Sequence, residues 1–334
     1  MANLTMPSTA ILHGRRLCIG TITRGRPTML RNLLQSYAEM RVPEAASLHF
    51  ILVENNDRPT LHHIVAWFRQ LQPQWTLQYE VEPRRGIAYA RNRVLQCALA
   101  ADGELLTFAD DDETVAIDWL IQLLAERDTA NLDIVGSPVR LAPPPCDASL
   151  WARLIWSGMD RANRHYEAKA LRNRNAGRAD RIRLATGSWM GNLAFFRRTA
   201  LTFDNELGLA GGEDWLLWAE ARKRGATTGW TPHAVAYETI PLERLSLRYL
   251  YRRDRDHSIT AFRKKLEANR TAGLLRLPGS LAGRTLRLGM NVTAIPFKGE
   301  MALVRAASCL GSIAGLFQAC LGRTSSHYDR TSGS

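Results

Sequence analysis

The chain has 334 residues, 46% of them hydrophobic and 23% charged, which excludes a wholly disordered protein and allows one large core or two modest ones. A net charge of +12 asks for an anionic partner: nucleic acid, anionic lipid or a phosphorylated substrate. Cys18, Cys97, Cys146, Cys309 and Cys320 form no CxxC pair and sit in apolar contexts, so they are expected to be buried thiols of a reducing compartment. Met1 to Leu12 show no basic leader followed by an apolar core, and a cytoplasmic catalytic part is expected.

Residues 1–14 have no period and read as a loose tail. Leu17–Ile22 is a first apolar strand, Thr23-Arg24-Gly25-Arg26-Pro27 a turn, and Leu30, Leu33, Leu34 and Tyr37 follow at helical spacing. Phe50–Val53 is a second strand, closed by Glu54-Asn55-Asn56-Asp57, and Leu61, Ile64, Val65 and Phe68 mark a second helix behind Pro59. Thr76–Val81 is a third strand. Gly86 opens a helix carrying Ala90, Val94, Leu95 and Ala98. Strands alternating with helices over the first 125 residues predict a parallel sheet with right-handed crossovers, and no GxGxxG dinucleotide fingerprint occurs.

The fourth strand, Leu105–Phe108, runs into Asp110-Asp111-Asp112-Glu113. A short apolar run ending abruptly in carboxylates reads as a buried strand emerging at a sheet edge, and open α/β sheets bind ligands at such ends. Four adjacent acids repel one another, and a hard divalent cation relieves that repulsion. Strand alternation predicts that Asp110 and Asp112 face one way and Asp111 the other. The spacing is not that of an EF-hand loop. Alone, such a run is more often a solvated turn or a helix N-terminus; between a buried strand and the amphipathic segment Trp119, Leu120, Leu123, Leu124, a site is the better reading.

Farther on, Ile134–Val139 reads as a strand, Pro143-Pro144-Pro145 breaks the chain, and the Arg- and Asn-rich residues 161–183, without apolar period, read as a long lid or binding loop. Order returns at Gly187–Phe196. After Gly211-Gly212, Glu213 and Asp214 head a helix that Gly225 closes; such acids serve either as dipole partners or as a catalytic base. Residues 240–270 are basic and aromatic. Met301–Leu321 is almost wholly apolar apart from Arg305 and Gln318, which fits an interfacial helix better than a membrane span and leaves a core-covering helix as the alternative.

In order and approximate spacing, Thr-x-x-Arg-Pro after the first strand, an acid after the second, Arg-Gly-Ile-x-x-Ala-Arg-Asn, Asp-Asp-Asp and Gly-Gly-Glu-Asp resemble the family 2 glycosyltransferases of GT-A fold, across about residues 15–260. The resemblance implies an α/β, Rossmann-like, mostly parallel mixed sheet flanked by helices, with a helical, membrane-associating C-terminal tail. It implies a nucleotide-sugar half at about 15–125, an acceptor half at about 126–260 and an extension over 261–334. Thr21, Thr23 and Arg26 would line the nucleotide pocket, with Glu54, where Asp is commoner, on the base. Arg85, Gly86, Arg91 and Asn92 would face the nucleotide. Asp110 would lie near ribose beside Asp111, Asp112 together with Asp110 would hold Mg²⁺ or Mn²⁺, and Asp214 beside Glu213 would take the acceptor proton.

The processive enzymes' Gln-x-x-Arg-Trp signature is missing, so single addition is expected. The tail resembles those of exopolysaccharide transferases, including succinoglycan-type enzymes. The implied activity is therefore inverting transfer of a hexose, from a donor guessed to be a UDP-hexose, to a lipid-linked glycan at the anionic inner face of the cell membrane, with no nucleic acid involved. Two rivals stand beside it: a sugar-phosphate nucleotidyltransferase, for which the Gly-rich loop after the first strand is missing, and a nucleic-acid-binding protein, for which only residues 244–257 interleave aromatic and basic groups.

Overall fold

The computed structural model describes residues 14–323 except 45, 185 and 206–211; the expected loose tail, up to residue 13, lies outside the described residues. The first half alternates as its apolar periods require: β1 (Arg16–Thr23), α1 (Pro27–Glu39), β2 (Ser47–Glu54), α2 (His62–Leu71), β3 (Thr76–Val81), α3 (Ile87–Ala100) and β4 (Leu105–Phe108). Then come β5 (Glu113–Val115), α4 (Trp119–Thr129), β6 (Ile134–Gly136), β7 (Val139–Leu141), α5 (Leu150–Asn175), β8 (Trp189–Asn192), α6 (Leu193–Thr199), α7 (Glu213–Lys223), β9 (Thr228–Trp230) and β10 (Ala236–Glu238). The chain closes with α8 (Leu247–Ala268), α9 (Arg270–Leu275), α10 (Leu277–Thr293), α11 (Ile295–Lys298) and α12 (Glu300–Cys320).

Seven strands form the main sheet in the order β3-β2-β1-β4-β8-β6-β9. β3, β2, β1 and β4 run parallel, whereas β8 is antiparallel to both β4 and β6. Both faces are covered, so the strands read as nearly continuous apolar runs. Alternate residues still divide between the faces. Leu17, Ile19, Phe50 and Leu52 pack under α1, α2 and α4, while Cys18, Ile51 and Val53 pack under α3 and α6. The strand order reverses between β1 and β4, which opens a crevice beyond their carboxyl ends. A second sheet, β5-β10-β7, stands beside that crevice and aligns Glu238 of β10 with Glu113 of β5.

Several expectations need correction. Of the loop expected over 161–183, only the stretch beyond Asn175 is turn and a short 3-10 helix, Ala179–Arg181; the part up to Asn175 is instead the second half of α5, a helix capped by the Ser149 hydroxyl, which accepts from Ala152 N. Its residues are good helix formers exposed on several faces, and Arg164 pairs with Asp160 one turn back, so the helix persists without an apolar period to betray it. Ile134–Val139 is two short strands interrupted at Ser137-Pro138. Of the thiols, Cys18 and Cys97 are buried, Cys309 is half-buried, and Cys146 and Cys320 are exposed: the first follows three prolines in a loop, and the second ends α12.

α12 is, among the described residues, the one helix long and apolar enough to cross a membrane. Its inner side packs on α5 and α8. A Cβ on Gly311 would lie 2.1 Å from the Tyr251 carbonyl oxygen, and one on Gly315 would lie 2.3 Å from that of Arg255. Gly311→Leu is therefore expected to cost about 1–3 kcal/mol through overpacking, read as a lower urea midpoint. An unchanged midpoint would mean that α12 detaches from α8 at little cost.

Candidate active site

The site is built where β1 and β4 end. β4 stops at Phe108, and Ala109 to Asp112 form a turn rather than further strand. Glu113 N donates to the Asp110 carbonyl at 3.0 Å, and Asp110 N donates to Glu113 Oε2 at 2.9 Å, so the turn closes on itself. The expected alternation of the acids consequently does not hold. Asp111 and Asp112 turn to the same guanidinium: Arg26 Nη1 lies 2.9 Å from Asp111 and 3.0 Å from Asp112. Thr23 Oγ1, at the end of β1, donates to Asp111 at 2.7 Å. Arg244 stands 3.6 Å from Asp112 on the far side. Asp110 points elsewhere, to Arg91 at 2.9 Å, and with a side chain 34% exposed it is the most open of the three.

Arg91, on α3, is buried and joins the two acid motifs, since its other terminal nitrogen pairs with buried Glu213 at 2.5 Å. Glu213 and Asp214 form the first turn of α7, entered through Gly212 at φ +90°, a conformation that a residue with Cβ adopts only with strain. Asp214 is half-buried, and its Oδ1 accepts from Trp215 N at 2.7 Å. Of this acid pair, one member is therefore committed to Arg91 and the other faces outward.

The remaining predicted residues divide. Gly86 heads α3 and donates its N–H to Asn55 Oδ1 at 2.9 Å; Arg85 is exposed beside it. Thr21 is buried, its hydroxyl 3.2 Å from that of Tyr37 and donating at 3.4 Å to the carbonyl of Ala109, where the acid turn begins. Glu54 is buried and accepts from Thr60 N at 2.9 Å and Asn56 at 3.1 Å, and from the Thr60 and Tyr79 hydroxyls. Burial alone would raise its pKa, but these hydrogen bonds prevail and hold it below the ordinary value. Asn92 faces away from the crevice: it donates to the Phe203 carbonyl and accepts from Phe203 N, both at 2.8 Å, clamping the segment that leads toward α7.

Glu238 and Arg244 join the site without having been singled out as site residues. Glu238 ends the apolar run Ala234–Tyr237, the same signal that marks Asp110 after Phe108. Carboxyls crowd here. Glu113 is pushed well up by burial and by Asp110, and Glu238 is pushed to about 7 by burial and by Asp112. Asp111 also rises to about 7, chiefly through burial, then through Asp112. Groups whose folded pKa exceeds the unfolded value stabilise below the unfolded pKa and lose that contribution as pH rises through the folded one. Metal-free protein is accordingly expected to lose stability between about pH 5 and about pH 8 in urea titrations. A profile that rises over that window would show that these acids are fully compensated.

Among the described residues, no three His, Cys, Asp or Glu side chains are grouped as a ready metal cage. The donor set still fits Mg²⁺ or Mn²⁺: such ions take oxygen ligands and are commonly held by one or two carboxylates together with substrate phosphates. The carboxyls named above outnumber Arg26, Arg91 and Arg244, leaving an excess of negative charge that a cation would offset.

A crevice at the switch point, acids on the turn after β4, and an acid pair heading α7 together define a glycosyltransferase of GT-A fold. The chain belongs to glycosyl transferase family 2, whose family model matches residues 18–201. It is 33% identical over 244 residues, 70% of each chain, to the succinoglycan biosynthesis protein ExoM of Rhizobium meliloti (strain 1021). Mannosyltransferase PcManGT from Pyrobaculum calidifontis, solved with GDP-Man and Mn²⁺, matches with a TM-score of 0.55 at 15% identity, over 90% of this chain and 88% of that one, a likeness of fold. S. aureus TarS 1-349, solved with UDP, gives a TM-score of 0.49 at 14% identity over 92% of each chain. Family membership displaces both the nucleotidyltransferase and the nucleic-acid readings.

Proposed function

We propose that this enzyme transfers a hexose, in single additions and with inversion, from a nucleotide-diphosphate sugar such as a UDP-hexose to a hydroxyl of a lipid-linked glycan in exopolysaccharide synthesis. The observation that carries the reading is that Arg91 ties Asp110, on the acid turn after β4, to Glu213, beside Asp214 at the head of α7. The similarity to the succinoglycan protein supports the kind of glycan, and the Mn²⁺ and GDP-Man of the Pyrobaculum enzyme support the kind of donor complex. Residues 15–125 would bind the donor and 126–260 the acceptor, with the acceptor's lipid at the anionic cytoplasmic face of the cell membrane.

In this reading Asp110 and Asp112 hold Mg²⁺ or Mn²⁺, which when bound offsets the charge of the departing diphosphate. Arg26 pairs with Asp111 and Asp112, and its Nε is a buried donor without an acceptor among the described residues, so this guanidinium would be the group to recognise phosphate oxygen. Asp214 takes the proton of the acceptor hydroxyl as that oxygen attacks the anomeric carbon from the face opposite the diphosphate. Glu213 positions Arg91 and leaves the proton to its neighbour. The test is thermal unfolding with UDP-glucose and with GDP-mannose, each with and without Mn²⁺. A donor at a hundred times its dissociation constant contributes about 2.7 kcal/mol, a shift of several degrees that should need the metal. Absence of a shift with every nucleotide sugar tried, in Mn²⁺ and in Mg²⁺, would overturn the donor assignment.

A further inference from the structure

The C-terminal helices carry an outward apolar face that catalysis does not use. On α10, Leu286 and Met290 lie one turn apart and are 67% and 62% exposed, and Phe297 on α11 is 88% exposed. Leu310 and Phe317 on α12, with Leu321 just beyond it, are exposed at spacings of seven and four, which makes a single stripe. The opposite side of α12 is taken up by α5 and α8, so the helix cannot leave to cross a bilayer without uncovering Ile259 and Phe262. α10 is fastened to the same body, because Arg284 donates to the Ser312 carbonyl on α12 at 2.6 Å and to the Ser258 hydroxyl on α8.

Clustered, exposed large apolar side chains mark an interaction surface. The surrounding charge says what fits it. Residues 270–323 contain six arginines and Lys298 but a single acid, Glu300, which is already engaged by Arg161 and Ser157. Arg276, Arg287, Lys298 and Arg323 are exposed among the apolar groups. A second copy of this chain would bring the same positive charge and be repelled, whereas an anionic lipid surface answers both features at once.

We propose that this face seats the enzyme flat on an anionic bilayer, with Leu286, Met290, Phe297 and Phe317 at the acyl boundary and the basic side chains at the level of the phosphates, and with α12 lying on the protein rather than spanning. The inference rests on the membrane-surface location proposed above and adds the face and the manner of seating. It is tested with the full chain, by co-sedimentation with vesicles of phosphatidylcholine alone and of phosphatidylcholine mixed with phosphatidylglycerol. One variant combines L286Q, F297Q and F317Q, and another combines R287Q and K298Q. All five side chains are at least half exposed or lie on the exposed face, and circular dichroism melts check that the variants fold.

The wild type should sediment with the anionic vesicles and be released by alkaline carbonate. The apolar variant should bind on the order of tenfold weaker per side chain removed, and the charge variant about fivefold weaker per charge, with a shallower salt dependence. Wild type that ignores anionic vesicles, an apolar variant that binds as wild type, or one whose change is only from dimer to monomer, would each overturn the proposal. Retention after alkaline carbonate would replace flat seating by a crossing helix. The nucleotide-sugar thermal shift, run on the same samples, separates the readings: it should be equal in wild type and both variants, and its loss from the wild type would indict the donor assignment and leave the vesicle result standing.

Discussion

Replacing Asp112 by Asn is expected to remove the Mn²⁺-dependent part of UDP binding while leaving the fold intact. Asp112 is held by Arg26 at 3.0 Å and faced by Arg244 at 3.6 Å. Burial raises its pKa, the arginines oppose that rise, and Asp110 adds to it, so the carboxylate is costly to keep ionised without a cation. Asparagine keeps the shape and one oxygen for Arg26 while removing a charge from a crowded set of acids. The unfolding midpoint should therefore stay level or rise slightly. What is lost is an anionic oxygen for the metal, and the affinity cost should exceed the 10–100-fold typical of substitutions that only orient a metal ligand. Titration calorimetry of UDP with and without Mn²⁺ decides it. Unchanged metal-dependent affinity would hand the role to Asp110 or Asp111.

The second large effect is expected at Asp214. Its carboxylate lies in the first turn of α7, and Trp215 N fixes one oxygen at 2.7 Å. Its neighbour Glu213 is buried and its carboxylate is paired with Arg91, so Glu213 is poorly placed to meet an acceptor hydroxyl. Asp214→Asn retains the hydrogen-bonding shape and cannot take the proton. The rate should fall about 10²–10⁴-fold, roughly 3–5 kcal/mol of barrier. Donor affinity should be nearly unchanged, because the acids after β4 are untouched. A variant with kcat near wild type would leave Asp214 as a helix-terminal acid only. Loss of donor binding along with the rate would place it in the nucleotide pocket instead.

How much of this was legible in the chain depended on whether an element announces itself locally. The four parallel strands and α1 to α3 did, because buried strands are short apolar runs and their helices repeat every three to four residues. The acid turn after β4 was legible as a site, but not the direction of its side chains: the alternation argument assumes continuing strand, and the strand stops at Phe108. The second half of α5, within the stretch 161–183, reads as loop because a helix bathed in solvent on several sides has no stripe to detect. Glu238 and Arg244 arrive from more than a hundred residues downstream, through a second sheet whose strands are three residues long and carry almost no pattern. Asn92 was noticed for the motif it sits in, and nothing nearby in sequence reveals that its partner is the backbone of Phe203.

That clamp has a practical meaning for anyone recombining members of this family. A cut at about residue 125 looks natural, since the donor-side alternation of strands and helices ends there. Yet Asn92 on one side grips Phe203 on the other, and Arg91 beside it grips Glu213. A chimera that takes its first part from one parent and its second from another inherits each half of these locks from a different ancestor. Such hybrids should succeed or fail according to whether positions 91–92 and 203–213 travel together, even when the interface elsewhere is identical.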